Sequence, residues 1–233
     1  MLEIEGKESL KGKVCVVSGA GNVALHVIEK LQQIGAIPVS CTDSKGTIYD
    51  PRGVDLSLLK ELKLERRASL EEYVITHESA QYIPVSEYSE NVHAVWDIPC
   101  YAAFPCATQN ELNETDAHNL ITNGCVSVTE GANMPSTPEA IEVFQAAKIL
   151  FAPGKASNAG GVATSGLEMS QNSLGYSWTA QEVDNKLHNI MLDIHEACVK
   201  YGKDEDGYVD YVKGANVAGF VKVADAMLAQ GVV

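Results

Sequence analysis

"VVSGAGNVALHV", Val16 to Val27, decides the fold. The β-branched run "KVCVVS" (Lys13 to Ser18) lies between Gly12 and Gly19 and reads as a short buried strand. From Val23 onward the apolar residues Val23, Val27, Ile28, Leu31 and Ile34 recur at helical spacing, and Gly35 is the expected stop. Between strand and helix, Gly19, Gly21 and Ala24 match G-x-G-x-x-[G/A]. In that context the pattern has a mechanism. Gly19 allows the tight turn, Gly21 lets the backbone approach a pyrophosphate, and Ala24 lets the helix pack closely on the strand. The helix N-terminus then offers unpaired N–H groups and a partial positive charge to phosphate. These residues alone leave open a tight turn without ligand.

Working outward, "AIPVSCTD" (Ala36 to Asp43) reads as a second strand, although Pro38 withdraws a ladder donor. "DLSLLKELKLE" is helical with Asp55 as N-cap, and "SLEE" at Ser69 to Glu72 has capping-box form before another helix. The strand signals "YAAFP", "CVSVTE" and "KILFAP" alternate with the helical "NETDAHNLI" and "TPEAIEVFQAA". Strands separated by helices indicate βαβ units and a parallel sheet. From Gly160 the signals are all helical: "GVATSGLEMSQNS", "TAQEVDNKLHNIMLDIHEACVKYG" and "GANVAGFVKVADAMLAQG". The expected fold is α/β, a Rossmann-like dinucleotide-binding domain with a mostly parallel sheet, helices on both faces and a helical carboxy-terminal segment. All of 1–233 is expected to form one domain, with an α/β core over about 10–157 and the helical segment over 158–233.

The second strand should end in a residue that reads a ribose. Asp43 stands 24 positions after Gly19, and a carboxylate there would accept from a 2′-hydroxyl and favour NAD. Ser44 and Lys45 follow it, and Arg66 and Arg67 come after the next helix; these groups suit a 2′-phosphate instead. The residues alone leave that choice open. Three further segments are unusual for a packed core. "FPCATQNEL" places Thr108, Gln109 and Asn110 after a strand, "TEGANMPSTPEA" does the same for Asn133, and "FAPGKASNAGGVATSGLEMSQNS" is rich in glycine and small polar residues. Amides and hydroxyls at the carboxyl ends of parallel strands lie where ligands bind open α/β sheets.

Composition sets limits on function. Seventeen basic residues against 31 acidic ones give a formal charge of −14, which argues against nucleic-acid binding. No apolar run is long enough for a membrane span, and the start "MLEIEGKESLKGK" has no apolar core for a signal or transit peptide. Six cysteines (Cys15, Cys41, Cys100, Cys106, Cys125 and Cys198) lack CxxC spacing and sit mostly in apolar runs. Buried free thiols in a reducing cytoplasm are expected, and no metal site.

"GAGNVA", "FPCATQNEL", "EGANMP", "FAPGKASNAGGVATSGLEMSQNS", "HNIMLDIHEACVKYG" and "GANVAGFVKVADAMLAQGV" together resemble the glutamate dehydrogenase family, closest to its hexameric NADP-specific branch. The resemblance covers nearly the whole chain. It implies hydride transfer between L-glutamate and NADP, with NAD as the other option, giving 2-oxoglutarate and ammonia. It implies pyrophosphate contacts around Gly19, Gly21, Asn22 and Val23, and ribose or phosphate contacts at Asp43, Ser44, Lys45 and Arg66. Thr108 and Gln109 would line the cofactor cleft. Asn133 and Asn158 would lie toward the nicotinamide, and Val162 and Ser165 would meet the glutamate side chain. Two positions depart from the family pattern: Tyr101 stands at a usual aspartate and Phe104 at a usual leucine. The resemblance also implies an amino-terminal domain, outside this sequence, that carries the catalytic lysine and aspartate. No catalytic residue is therefore expected in this chain. A homo-hexamer is expected for the longer protein, and a monomer or weak dimer for this chain. A nucleotide-binding or regulatory module without catalysis is the alternative.

Overall fold

The computed structural model describes residues 1–2 and 9–231; residues 3–8, which carry most of the start read above for targeting signals, and 232–233 lie outside them. The chain divides into two compact units, Met1–Phe151 and Ala152–Val233.

In the first unit, β1 (Val14–Val17) leads through the glycine turn into α1 (Asn22–Gln33), which buries Ala24, Leu25, Ile28 and Leu31. Full burial of each large aliphatic side chain is worth roughly 2 kcal/mol, so this stripe holds α1 to the core. Gly35 follows with φ +80°, the left-handed stop that the sequence predicts. The expected second strand is divided. β2 (Ile37–Pro38) pairs in parallel with β1, whereas β3 (Ser40–Asp43) turns away into an antiparallel sheet with β4 (Gly46–Tyr49) and β5 (Gln81–Pro84). Hydroxyl groups bridge the gap that this opens beside β1. The Val17 N–H donates to Ser40 Oγ at 2.8 Å and the Gly19 N–H to Thr42 Oγ1 at 2.7 Å. Ser40 Oγ returns a bond to the Val17 carbonyl at 3.0 Å. Side chains thus take over the ladder where the backbones diverge.

Between β4 and β5 run α2 (Leu56–Lys60), capped by Asp55 as expected, and a π-helical turn, Glu61–Glu65. The short α3 (Tyr73–Thr76) follows; Ser69 caps the turn before it by accepting from the Glu71 N–H. β6 (Ala102–Phe104), α4 (Glu114–Thr122), β7 (Ser127–Thr129), α5 (Pro138–Ala146) and β8 (Leu150–Ala152) complete the alternation. α4 opens with a capping box between Asn113 and Asp116, and Thr137 caps α5. The main sheet has the order β2-β1-β6-β7-β8, with β1 parallel to β2 and β6, and β6 parallel to β7. The strand order reverses at β1, so the crevice between the carboxyl ends of β1 and β6 is the switch point.

The second unit is helical: α6 (Gly154–Ser157), α7 (Ala159–Leu174), α8 (Ala180–Gly202) and α9 (Tyr211–Gln230). Thr179 and Glu182 form a capping box at the start of α8, and Asp210 caps α9. Among the described residues no helix is long and apolar enough to cross a membrane. All six cysteines are buried.

Candidate functional site

The switch point carries a cleft of about 920 Å³ within the first unit. Its floor is the glycine turn. Gly19 has φ +85°, and a Cβ there would stand 2.9 Å from the Cys106 carbonyl oxygen, so both conformation and space demand glycine. Gly21 differs: a Cβ on it would meet nothing within 4 Å, so the space beside it is open to a ligand. Gly21 is also the N-cap of α1, and no side chain caps that helix end. α1 therefore presents its first N–H groups toward the cleft without a side-chain acceptor, an arrangement suited to an anion. Asn22 and Val23 open α1, and both are exposed.

Three strand-end turns meet here. A Cβ on Gly131, after β7, would lie 2.6 Å from Cys106 Sγ and 3.2 Å from Val23 Cγ1. The Asn110 N–H donates to the Met134 carbonyl at 3.0 Å, which ties the turn bearing Thr108 and Gln109 to the turn bearing Asn133. Thr108 and Gln109 line the cleft; Asn133 is exposed on the neighbouring turn. Burial pushes the Cys106 thiol up to about 12, which removes it as a nucleophile near neutral pH.

At the end of β3, Asp43 and Ser44 line the cleft, as does Lys63 from the π turn. Lys63 Nζ is 2.9 Å from Asp43 Oδ2, with both side chains mostly buried. Burial alone would raise the Asp43 carboxyl, but the hydrogen bond from Lys63, the N–H of Lys45 and the lysine charge outweigh it and hold the carboxyl below its usual range. Lys45 contributes that backbone bond at 2.9 Å, and its side chain is not part of the cleft lining. Arg66 also lies outside the lining; its guanidinium pairs with Glu61 and Glu72. The lysine that the structure brings to the cleft at the end of β3 is therefore Lys63, a residue of the stretch "DLSLLKELKLE" that the sequence marks only as helical.

The opposite wall holds Tyr88, His93 and Trp96. Tyr88 Oη and Thr47 Oγ1 are 2.6 Å apart. His93 Nδ1 lies 2.7 Å from Asp116 Oδ2, and the His93 N–H donates to Asp116 Oδ1 at 2.9 Å. The hydrogen bond to Asp116 raises the imidazole above its ordinary value despite partial burial. Glu111 also lines the cleft, and burial raises its carboxyl.

Asn158, Val162 and Ser165 belong to the second unit. Asn158 is the N-cap of α7, and the spacing of the three residues puts them along one face of that helix. Val162 is 73% exposed, and Ser165 Oγ bonds weakly to the Gly161 carbonyl at 3.4 Å. Among the described residues no three His, Cys, Asp or Glu side chains are placed to hold a metal ion.

A parallel sheet with a glycine turn at its switch point, an uncapped helix N-terminus and a carboxylate at the end of the next strand defines the class of dinucleotide-binding α/β domains. Within it, this chain belongs to the Glutamate/Leucine/Phenylalanine/Valine dehydrogenase family, whose sequence pattern matches residues 1–231. It is 59% identical over 235 aligned positions to the NAD(P)-specific glutamate dehydrogenase of Xylanibacter ruminicola, covering 100% of this chain and 51% of that protein. It is 54% identical to the NADP-specific glutamate dehydrogenase of Helicobacter pylori, covering 98% of this chain and 51% of that protein. The solved structure of Plasmodium falciparum glutamate dehydrogenase 2 superposes with a TM-score of 0.89 at 46% identity, over 99% of this chain and 49% of that one. The chain thus spans about half the length of the relatives it matches.

Proposed function

We propose that this chain is the NADP(H)-binding part of a glutamate dehydrogenase, which interconverts L-glutamate, NADP and water with 2-oxoglutarate, ammonia and NADPH. The observation that carries this reading is the uncapped N-terminus of α1, which follows the Gly19–Gly21 turn and opens on a cleft lined by Asp43, Ser44 and Lys63. The α1 N–H groups around Asn22 and Val23 hold the pyrophosphate. Asp43 and Ser44 take the adenosine ribose, and Lys63 supplies the charge for a 2′-phosphate, which favours NADP while leaving NAD acceptable. Thr108, Gln109 and Asn133 form the wall toward the nicotinamide. When bound, the nicotinamide accepts or donates the hydride. Asn158 holds the dinucleotide near its reacting end, and Val162 and Ser165 meet the side chain of glutamate.

Acid–base catalysis needs a titratable side chain within hydrogen-bond reach of the proton it moves, and the resemblance implies a lysine and an aspartate for that role. Lys63 and Asp43 form a tight ion pair at the end of β3, the position of a ribose reader, and Asp43 is held ionised. We assign the proton transfers to residues outside these 233, in a protein that works in the cytoplasm and assembles as a homo-hexamer. Titration with NADPH and NADH, followed by nicotinamide fluorescence, tests the reading. Tighter binding of NADPH supports it. No response to either cofactor near millimolar concentration rejects it.

A further inference from the structure

Glu111 lines the cleft, yet the reading above gives it no role. A carboxylate beside an anion site opposes the ligand unless it does something else there. Its bonds indicate what that is. Glu111 Oε1 accepts the Ala107 N–H at 2.8 Å, and the carboxylate also accepts from the Ser18 hydroxyl and the Thr108 N–H. Ser18 is fully buried at the end of β1, and its Oγ accepts the Cys106 N–H at 2.8 Å. The Trp96 indole N–H donates to the Glu111 carbonyl at 3.2 Å, which fixes the backbone from which the side chain reaches back. One carboxylate therefore ties the residue preceding Gly19 to the turn that bears Thr108 and Gln109. At this same junction Gly19 and the Cys106 carbonyl are too close to admit a Cβ.

We propose that Glu111 is a positioning residue for the cofactor: it clamps the Ala107–Thr108 turn to the end of β1, so that both backbone walls of the switch point are set before the dinucleotide arrives. The inference rests on the cofactor reading above. The ionised carboxylate accepts all three bonds, whereas protonation places an O–H donor on one oxygen and reduces that capacity. Among the described residues, the side chains that face the carboxylate are His93 from the segment before Trp96, the Cys106 thiol just after β6 and the Ser18 hydroxyl just after β1, beside the Ala107 and Thr108 N–H groups. Burial raises the carboxyl, against the bonds from Ala107, Ser18 and Thr108 and the charge of His93. Protonation on the acid side thus loosens the clamp, and affinity falls as pH drops through the raised Glu111 value.

The test uses the 233-residue chain and ADP-ribose, whose pyrophosphate stays ionised throughout. Glu111→Gln turns an amide N–H toward backbone donors. It is expected to weaken ADP-ribose binding about tenfold, with circular dichroism near wild type and a melting temperature lower by only a few degrees (about 2–8 °C). It also removes the acid-side loss of affinity. Equal affinity with an unchanged pH profile overturns the proposal, whatever the melting temperature. Should Glu111→Gln not fold, Ser18→Ala, which deletes the bridging hydroxyl, is expected to weaken binding in the same direction; unchanged affinity overturns the proposal. Wild-type chain that binds neither ADP-ribose nor NADPH rejects the cofactor reading and this inference with it. Wild-type binding that both variants retain rejects this inference alone.

Discussion

On the cofactor reading proposed above, Lys63 is the side chain on which the choice between NADP and NAD turns. Its ammonium sits 2.9 Å from Asp43 at the end of β3, so it both supplies positive charge and masks a carboxylate that would repel a 2′-phosphate placed there. Lys63→Ala removes the first effect and unmasks the second. NADPH affinity is expected to fall about ten- to a hundredfold and NADH affinity by less than about threefold, as measured by nicotinamide fluorescence. His93 carries a pH dependence of stability. Its folded value is raised by the bond to Asp116, so the pair stabilises the fold fully below the unfolded histidine value of about 6.5 and loses that stabilisation as pH rises through the folded value. His93→Gln should lower the melting temperature more at pH values below about 6 than at values above about 8. An equal loss at both would remove the charge from this account. Thr108 and Gln109 were legible in the sequence because polar residues after a strand mark the ligand edge of a parallel sheet, and Asp43 and Ser44 because of their spacing from the glycine turn, although β3 proves antiparallel. Lys63 and Glu111 were not. Each reaches the cleft by a contact across 20 positions or more, Lys63 to Asp43 and Glu111 to Ser18, and no local periodicity encodes such a pairing. Arg66 has the right charge, but acidic neighbours on its own segment and the next hold it away from the lining.

Whole elements were legible where hydrophobic period and caps agree. β1 and α1 are the clearest case, and α4, α5 and α8 start at the cap residues Asn113, Thr137 and Thr179. The antiparallel sheet was not. Its β3–β4 hairpin turns on Ser44 and Lys45, with Asp43 opposite Gly46, and lacks the Asn-Gly or Asp-Gly pair that announces such a turn. Gly46 instead answers to packing: a Cβ there would lie 2.6 Å from the Ile83 carbonyl oxygen across the ladder. Pro38 likewise marked a real discontinuity, the point at which one strand passes from the parallel sheet to the antiparallel one. The helical unit depends on glycine in a different way. A Cβ on Gly214 of α9 would stand 2.1 Å from the Cys198 carbonyl oxygen of α8, and one on Gly202 would stand 2.2 Å from that of Asp210. Backbone meets backbone there, with no flexible side chain to yield. Gly214→Ala should cost about 1–3 kcal/mol and lower the melting temperature by roughly 5 °C. A variant that melts with wild type would show that the two helices separate without penalty.

At the scale of the whole molecule, the chain carries a formal charge of −14, and on the proposed reading it binds an anionic cofactor. Among the described residues that line the cleft, Lys63 is the one lysine or arginine, His93 can add charge on the acid side, and the N-terminus of α1 adds a partial positive charge, while Asp43 and Glu111 line the same cleft. Attraction therefore acts within the first few ångströms, and repulsion acts at the distances from which a cofactor approaches. Salt screens the two unequally, because the Debye length is about 10 Å at 0.1 M, longer than a bound contact and shorter than the molecule. Raising ionic strength from about 0.01 M to 0.15 M should thus speed NADPH association several-fold, the reverse of an electrostatically steered encounter. Dissociation should also quicken, through the weakened Lys63 contact, and more for NADPH than for NADH. Stopped-flow nicotinamide fluorescence separates the two rates. An association rate that falls with salt would mean that the field of the helix terminus and Lys63 reaches past the acidic surface. Cofactor capture would then be steered by the cleft rather than resisted by the molecule around it.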